Sequence, residues 1–129
     1  MKMEHLGYQV KDPAGIAAWY CENLGFTIVR AVNNEAKTHF LADSAGTMMI
    51  ELHSHKTAPI PDYASMDPLV LHLAFACTDI PSAVKKLTAA GATLVEEFTT
   101  PQGDGIAMLR DPWGLALQFC NRKTPMIKV

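Results

Sequence analysis

The sequence predicts an α+β fold made of two tandem βαβββ modules, which together form a curved, partly closed mixed sheet around a cleft with the helices outside. Two observations predict it. The chain repeats with a period of 67 residues, which takes His5 onto His72. In each half an aspartate seven residues after the histidine opens a helix-like stretch, and three more strand-like runs follow. The repeated unit is therefore strand, helix and three strands.

The helices are bounded by residues that suit helix ends. A proline lies in the first turn of each and a glycine just after the last turn, the usual asymmetry of helix termini. The first helix runs from Asp12 to Gly25 and the second from Asp79 to Gly91. The predicted strands are Met3–Val10, Phe26–Asn33, Lys37–Asp43 and Thr47–His53, then Leu69–Cys77, Thr93–Phe98, Gly105–Arg110 and Leu115–Asn121.

Composition indicates one small domain spanning residues 1–129, with modules at about 1–53 and 69–122. The segment between them, residues 54–68, holds three prolines and no periodicity, which is typical of a linker.

Hydrophobic residues make up 49% of the chain and the net charge is −2, which favours neither nucleic acid nor a membrane surface as partner. Three widely spaced cysteines predict no disulfide framework, and no signal-peptide pattern is present. We therefore expect a cytoplasmic protein.

Strand alternation places small and polar residues on one face of each module. His5, Gly7 and Gln9 share a face in the first strand, while Tyr8 and Val10 point the other way. Bulky residues on the second face must be covered by the helices, whose apolar positions include Ile16, Trp19, Tyr20, Val84 and Leu87. The small polar face predicts the lining of a cleft.

Four residues with metal-ligand chemistry lie on this face at duplicated positions. The spacing from His5 to Glu51 is 46 residues, and the spacing from His72 to Gln118 is also 46. Two imidazoles, a carboxylate and an amide oxygen suit one divalent ion such as Zn²⁺, Ni²⁺, Fe²⁺ or Mn²⁺. The sequence therefore predicts a metal cleft, with hydrogen-bonded strand histidines and a solvated glutamate as the alternative.

The duplicated modules and these four positions, with Leu24-Gly25-Phe26 and the turn from Asp111 to Gly114, resemble the vicinal oxygen chelate superfamily. That superfamily includes glyoxalase I, methylmalonyl-CoA epimerase, extradiol dioxygenases and bleomycin-binding proteins. The resemblance covers nearly the whole chain and implies that the metal ligands are His5, Glu51, His72 and Gln118.

Two departures from glyoxalase I stand out. Gln118 occupies the position at which glyoxalase I and most metal-binding members have glutamate. The epimerase order resembles His, Gln, His, Glu, which is the present order with the halves exchanged. Gln9 and His55 occupy the positions of an arginine and an asparagine that serve glutathione in glyoxalase I, so the resemblance does not imply glutathione as the thiol carrier.

The predicted chemistry is a lyase or isomerase reaction on a small substrate with two vicinal oxygens. The metal stabilises an enediolate, and Glu51, the one acid of the four, acts as the base. His53 shares the face of Glu51 and is either a neighbour of the site or a solvated histidine. The alternatives are an epimerase-like enzyme, an extradiol-type dioxygenase and a metal-free drug-binding protein. A homodimer with two equivalent sites is expected, because each module has exposed sheet edges.

Overall fold

A computed structural model describes residues 1–127, and the fold divides into two compact units, Met1–Pro61 and Asp62 onward. The division lies inside the predicted linker. The first unit contains β1 (His5–Gln9), α1 (Pro13–Leu24), β2 (Thr27–Ala31), β3 (His39–Ala42) and β4 (Met49–His53). The second contains β5 (Leu73–Ala76), α2 (Ile80–Ala89), β6 (Thr93–Thr99), β7 (Gly105–Arg110) and β8 (Ala116–Asn121). The predicted α+β class with two tandem βαβββ modules is confirmed.

Both units have the same strand order and the same mixture of pairings. The orders are β1-β4-β3-β2 and β5-β8-β7-β6, so the first and last strands of each unit are neighbours. That pair is parallel in each sheet, and the other pairs are antiparallel. Even an irregularity is duplicated, since the register of the outermost pair shifts between Ile28 and Arg30 and again between Leu94 and Glu96. The repeat seen in the sequence is therefore a repeat of backbone geometry.

The helix starts are fixed by aspartate caps at the two predicted positions. An oxygen of the Asp12 side chain accepts a hydrogen bond from the Gly15 N–H at 3.0 Å, and Asp79 accepts one from the Ser82 N–H at 3.0 Å. Each bond satisfies a backbone donor that has no partner within the helix. At the end of α1, Gly25 takes a left-handed conformation with φ of 74°, which favours glycine there.

Removing either cap is expected to destabilise the protein by roughly 0.5–2 kcal/mol. Asp12→Ala and Asp79→Ala should give similar losses of unfolding free energy in urea, because the two caps are equivalent. Asp62→Ala is the matched control, since Asp62 precedes a short 3₁₀ turn at Tyr63–Ser65 and makes no side-chain cap bond there. Equal stability of all three variants would contradict the role given to the caps.

Each helix covers the bulky face of its own sheet. Ile16 and Tyr20 of α1 are buried together with Leu41 and Leu52 of the first sheet. In the second unit Leu87 of α2 is buried, as are the sheet residues Leu109, Leu117 and Phe119. The opposite face of the parallel strands carries His5, Gly7 and Glu51 in the first unit and Ala74 and Gln118 in the second.

The structure corrects the start of the fifth strand. The sequence predicts it from Leu69, but β5 begins at Leu73, one residue after His72. The physical reason is a turn at residues 67–70, in which the Val70 N–H donates to the Asp67 carbonyl at 3.0 Å and the Leu69 N–H donates to the Asp67 carboxylate at 2.9 Å. His72 thus lies just before the first residue of β5. Among residues 1–127, no helix is long and apolar enough to cross a membrane.

Candidate metal centre

His5 and Glu51 come together on neighbouring strands of the first unit. Gly7 of β1 pairs with Glu51 of β4, and His5 lies two residues before Gly7 on the same face. The two side chains therefore meet diagonally across the parallel pair, with His5 Nε2 at 3.2 Å from Glu51 Oε2. Both are partly shielded, since the His5 and Glu51 side chains are 33% and 21% exposed.

The other nitrogen of His5 has its own partner. Nδ1 lies 3.2 Å from Glu4 Oε2, and the ring packs edge-on against Phe40 with centroids 5.6 Å apart. Both ring nitrogens thus face carboxylate oxygens, and a metal ion bound by Nε2 and Glu51 would take the place of a proton between them while Nδ1–H donates to Glu4. Two ligand atoms that are each about 2.0–2.2 Å from one ion lie roughly 3 Å apart, so the 3.2 Å separation fits joint ligation.

His72 and Gln118 have corresponding backbone positions in the second unit. Ala74 of β5 pairs with Gln118 of β8, and His72 lies two residues before Ala74, as His5 does before Gly7. His72 Nδ1 lies 2.8 Å from the Pro68 carbonyl oxygen. A carbonyl only accepts, so Nδ1 carries the proton and the Nε2 lone pair remains for a ligand.

The side chain of Gln118 is oriented by a cysteine two residues further along β8. Cys120 Sγ donates to Gln118 Oε1 over 3.3 Å. Cys120 is buried, and burial raises the pKa of its thiol, which keeps the sulfur protonated as a donor at neutral pH. In the sequence, the only indication of this contact is that the two residues share a face of the strand.

Gln9 ties the end of β4 to the segment that follows it. Its Nε2 donates to the carbonyl oxygens of His55 at 2.6 Å and Ala58 at 3.0 Å. Its Oε1 accepts from the His55 N–H at 3.0 Å and lies 2.9 Å from His53 Nδ1. Gln9 thus fixes the position of the backbone after β4, which is a structural role. We call this set of bonds the Gln9 clamp.

His53 is held as a neutral ring by its surroundings. Burial lowers its pKa most, and the nearby His55 and His5 lower it further, while the Glu51 carboxylate acts in the opposite direction. A lowered pKa leaves the imidazole uncharged at pH 7, with one nitrogen able to accept a hydrogen bond.

The first unit thus brings His5 and Glu51 within 3.2 Å of each other, and the second places His72 just before β5 and Gln118 on the neighbouring strand β8. Among residues 1–127 no three His, Cys, Asp or Glu side chains form a group that could hold a metal ion. The residues that sequence reasoning missed are Glu4 at His5, Phe40 beside it and the carbonyl of Pro68 at His72. The neighbouring position of Glu4 was the one available signal.

Comparisons with known proteins place the chain in a family. Residues 2–119 match the model of the glyoxalase/bleomycin resistance protein/dioxygenase superfamily. The chain is also 31% identical over 127 residues to the uncharacterized protein YaeR of Escherichia coli K12, covering 92% of this chain and 94% of that protein.

Solved structures share the fold at lower identity. TnmS3, an antibiotic binding protein from Streptomyces sp. CB03234, has a TM-score of 0.74 at 18% identity, covering 95% of this chain and 97% of that one. A glyoxalase I mutant from Zea mays has a TM-score of 0.74 at 22% identity, covering 95% of this chain and 46% of the maize chain, about half its length. Because the family model matches residues 2–119 of this chain, the chain belongs to the glyoxalase/bleomycin resistance protein/dioxygenase superfamily.

Proposed function

We propose that the protein is a metal-dependent lyase or isomerase of the glyoxalase type, acting on a small substrate with two vicinal oxygens. The observation that carries the proposal is the duplicated diagonal pair. His5 and His72 each lie two residues before the strand partner of the oxygen ligand, Glu51 or Gln118, with His5 at the start of β1 and His72 one residue before β5. In a packed core or on a solvated surface, nothing requires the two modules to keep a histidine and an oxygen ligand at the same two points.

The four side chains fit one divalent ion in their chemistry. The Nδ1 atoms of both histidines face acceptors, so each ring can donate from Nδ1 and bind a metal through Nε2. Glu51 and Gln118 supply oxygen ligands. The ion, of a kind such as Zn²⁺, Ni²⁺, Fe²⁺ or Mn²⁺, would act as a Lewis acid that polarises the substrate oxygens and stabilises an enediolate.

Glu51 is the residue proposed to move the proton. It is the one carboxylate of the set, and its Oε2 faces the space over Gly7, where an added Cβ would lie 3.5 Å away. Gln118 cannot take this role, because an amide does not accept a proton at neutral pH. The Cys120 thiol stays protonated, so it does not compete as a base.

Solvent deuterium exchange tests this reaction class directly. Protein reconstituted with each of the four metals is incubated in D₂O with small hydroxyketones and hemithioacetals, and deuterium at the carbon next to the carbonyl is measured by NMR. The proposal expects exchange only in the metal-loaded protein. Equal exchange without metal would contradict it, and oxygen consumption with a catechol on Fe²⁺ would point to the extradiol-type alternative.

A drug-binding protein is the second candidate, favoured by one observation. Ala74 and Ala76 are exposed on the small-residue face of β5, where they leave space for a bulky ligand. The fold is shared with TnmS3, an antibiotic binding protein. Tight binding of a bleomycin-type drug by metal-free protein would favour this function, whereas a requirement for metal favours the lyase or isomerase.

We further propose that the protein forms a cytoplasmic homodimer with two equivalent sites. The outer strands β2 and β6 are exposed along their length and carry apolar side chains, among them Val29, Val95 and Phe98. Exposed apolar edge strands favour assembly. Light scattering at micromolar concentration is expected to give twice the 14.1 kDa mass of one chain. A monomer under these conditions would contradict the proposal.

A further inference from the structure

Gly7 leaves an open space between two acceptor atoms of the first sheet. A Cβ added to Gly7 would lie 3.5 Å from Glu51 Oε2 and 3.5 Å from His53 Nε2. Both atoms are therefore turned toward one point over β1, and glycine places no side chain there. A ligand atom that approaches the strand at this point comes within reach of both.

The Gln9 clamp determines which nitrogen of His53 accepts. The amide of Gln9 has a single possible orientation, because its Nε2 meets two carbonyl oxygens and its Oε1 meets a backbone N–H. Oε1 can only accept, so the His53 nitrogen at 2.9 Å, Nδ1, must carry the proton. Nε2, the atom that faces the space over Gly7, is then the ring nitrogen left to accept.

We propose that His53 Nε2 is a specificity determinant for the substrate, and that it accepts a hydrogen bond from an N–H or O–H group adjoining the two chelating oxygens. This rests on the proposed function, since it assumes that the chelating oxygens lie at the His5 and Glu51 end of the same face. The preferred substrates are thus chelating compounds with a donor beside the oxygen pair, such as hydroxamates or hydroxylated ketones, rather than those alkylated at that position.

Two small probes isolate the donor. Acetohydroxamic acid has two chelating oxygens with an N–H between them, and N-methylacetohydroxamic acid has the same oxygens without the N–H. Their dissociation constants for Zn²⁺-loaded protein are measured by calorimetry. Relative to the same ratio in His53→Asn, wild type is expected to favour the N–H probe by roughly 3–10-fold, as one hydrogen bond allows. Comparing ratios cancels any difference in chelating strength between the probes.

His53→Asn is chosen because its amide nitrogen takes the place of Nδ1, so the bond to Gln9 Oε1 is kept while the Nε2 acceptor is lost. Gly7→Ala fills the space with a Cβ at ordinary contact distance, and it should also remove the preference for the N–H probe. His39→Ala is the matched control, since His39 bonds the Lys37 carbonyl oxygen and takes no part in the clamp. This control is expected to behave as wild type.

The outcomes separate this inference from the function on which it rests. If both probes bind and their ratio is unchanged in His53→Asn, the role of His53 is wrong while the metal-dependent function stands. If neither probe binds metal-loaded wild type, the proposed function fails and the inference fails with it. If His53→Asn no longer retains zinc, His53 is a metal ligand and the inference is overturned.

Discussion

Glu51→Gln is expected to lower solvent deuterium exchange about 10²–10⁴-fold in metal-loaded protein, the usual contribution of a general base. Glutamine keeps the shape of the side chain and an oxygen for the ion, but it cannot take up a proton at neutral pH. Metal content is therefore expected to fall much less than exchange. Both quantities are measured on the same preparation, by elemental analysis and by NMR.

Glu4→Gln is the matched control for this variant. Glu4 lies at the opposite nitrogen of the same histidine, so its replacement also removes a negative charge near His5 but leaves Glu51 in place. We expect exchange to change less than 10-fold, because only the orientation of one imidazole is affected. Undiminished exchange in Glu51→Gln would remove Glu51 from the mechanism.

Replacing His5 and His72 together with alanine is expected to abolish metal binding. The double variant removes both proposed nitrogen ligands, which leaves one carboxylate and one amide, too few for a transition-metal site with three or four protein ligands. Equilibrium dialysis against Zn²⁺ should give about one ion per wild-type chain and none in the variant. A double variant that keeps its metal would show that the repeated spacing has another cause.

His39→Ala serves as the control for the histidine changes. Its Nδ1 lies 2.6 Å from the Lys37 carbonyl oxygen, and it has no counterpart in the second module. Metal binding by this variant should equal that of wild type. A loss comparable to that of the double variant would indicate binding by scattered surface histidines.

The sequence predicted the modules well because their signals are local. A cap residue and a glycine past the last turn mark α1, and both are found where expected, at Asp12 and Gly25. Alternation along β1 and β4 placed Glu51 on the face of Gly7, where the structure has it. A strand or a helix can be recognised from a period of two or of 3.6 residues without knowing how the chain connects one element to the next.

The contacts between the strands and the connecting segments could not be predicted, because a single sequence does not specify the path of a loop. The Gln9 clamp joins Gln9 to His55, 46 residues away, and the turn at Asp67 shortens β5. The tautomer of His72 follows from the carbonyl of Pro68 in a segment predicted only as a linker. These contacts determine which nitrogen of His53 and of His72 can accept a hydrogen bond or bind a metal. The residue types of the candidate site could therefore be predicted from the sequence, but the orientation of their side chains could not.

X-ray absorption at the zinc edge of reconstituted wild-type protein tests our proposal that His5 and His72 bind the same ion. We expect nitrogen and oxygen ligands at about 2.0–2.2 Å, with the scattering signature of two imidazoles, one from each module. In His72→Ala the signature should fall to one imidazole. A single imidazole in wild type, or a spectrum that His72→Ala leaves unchanged, would contradict a shared metal centre.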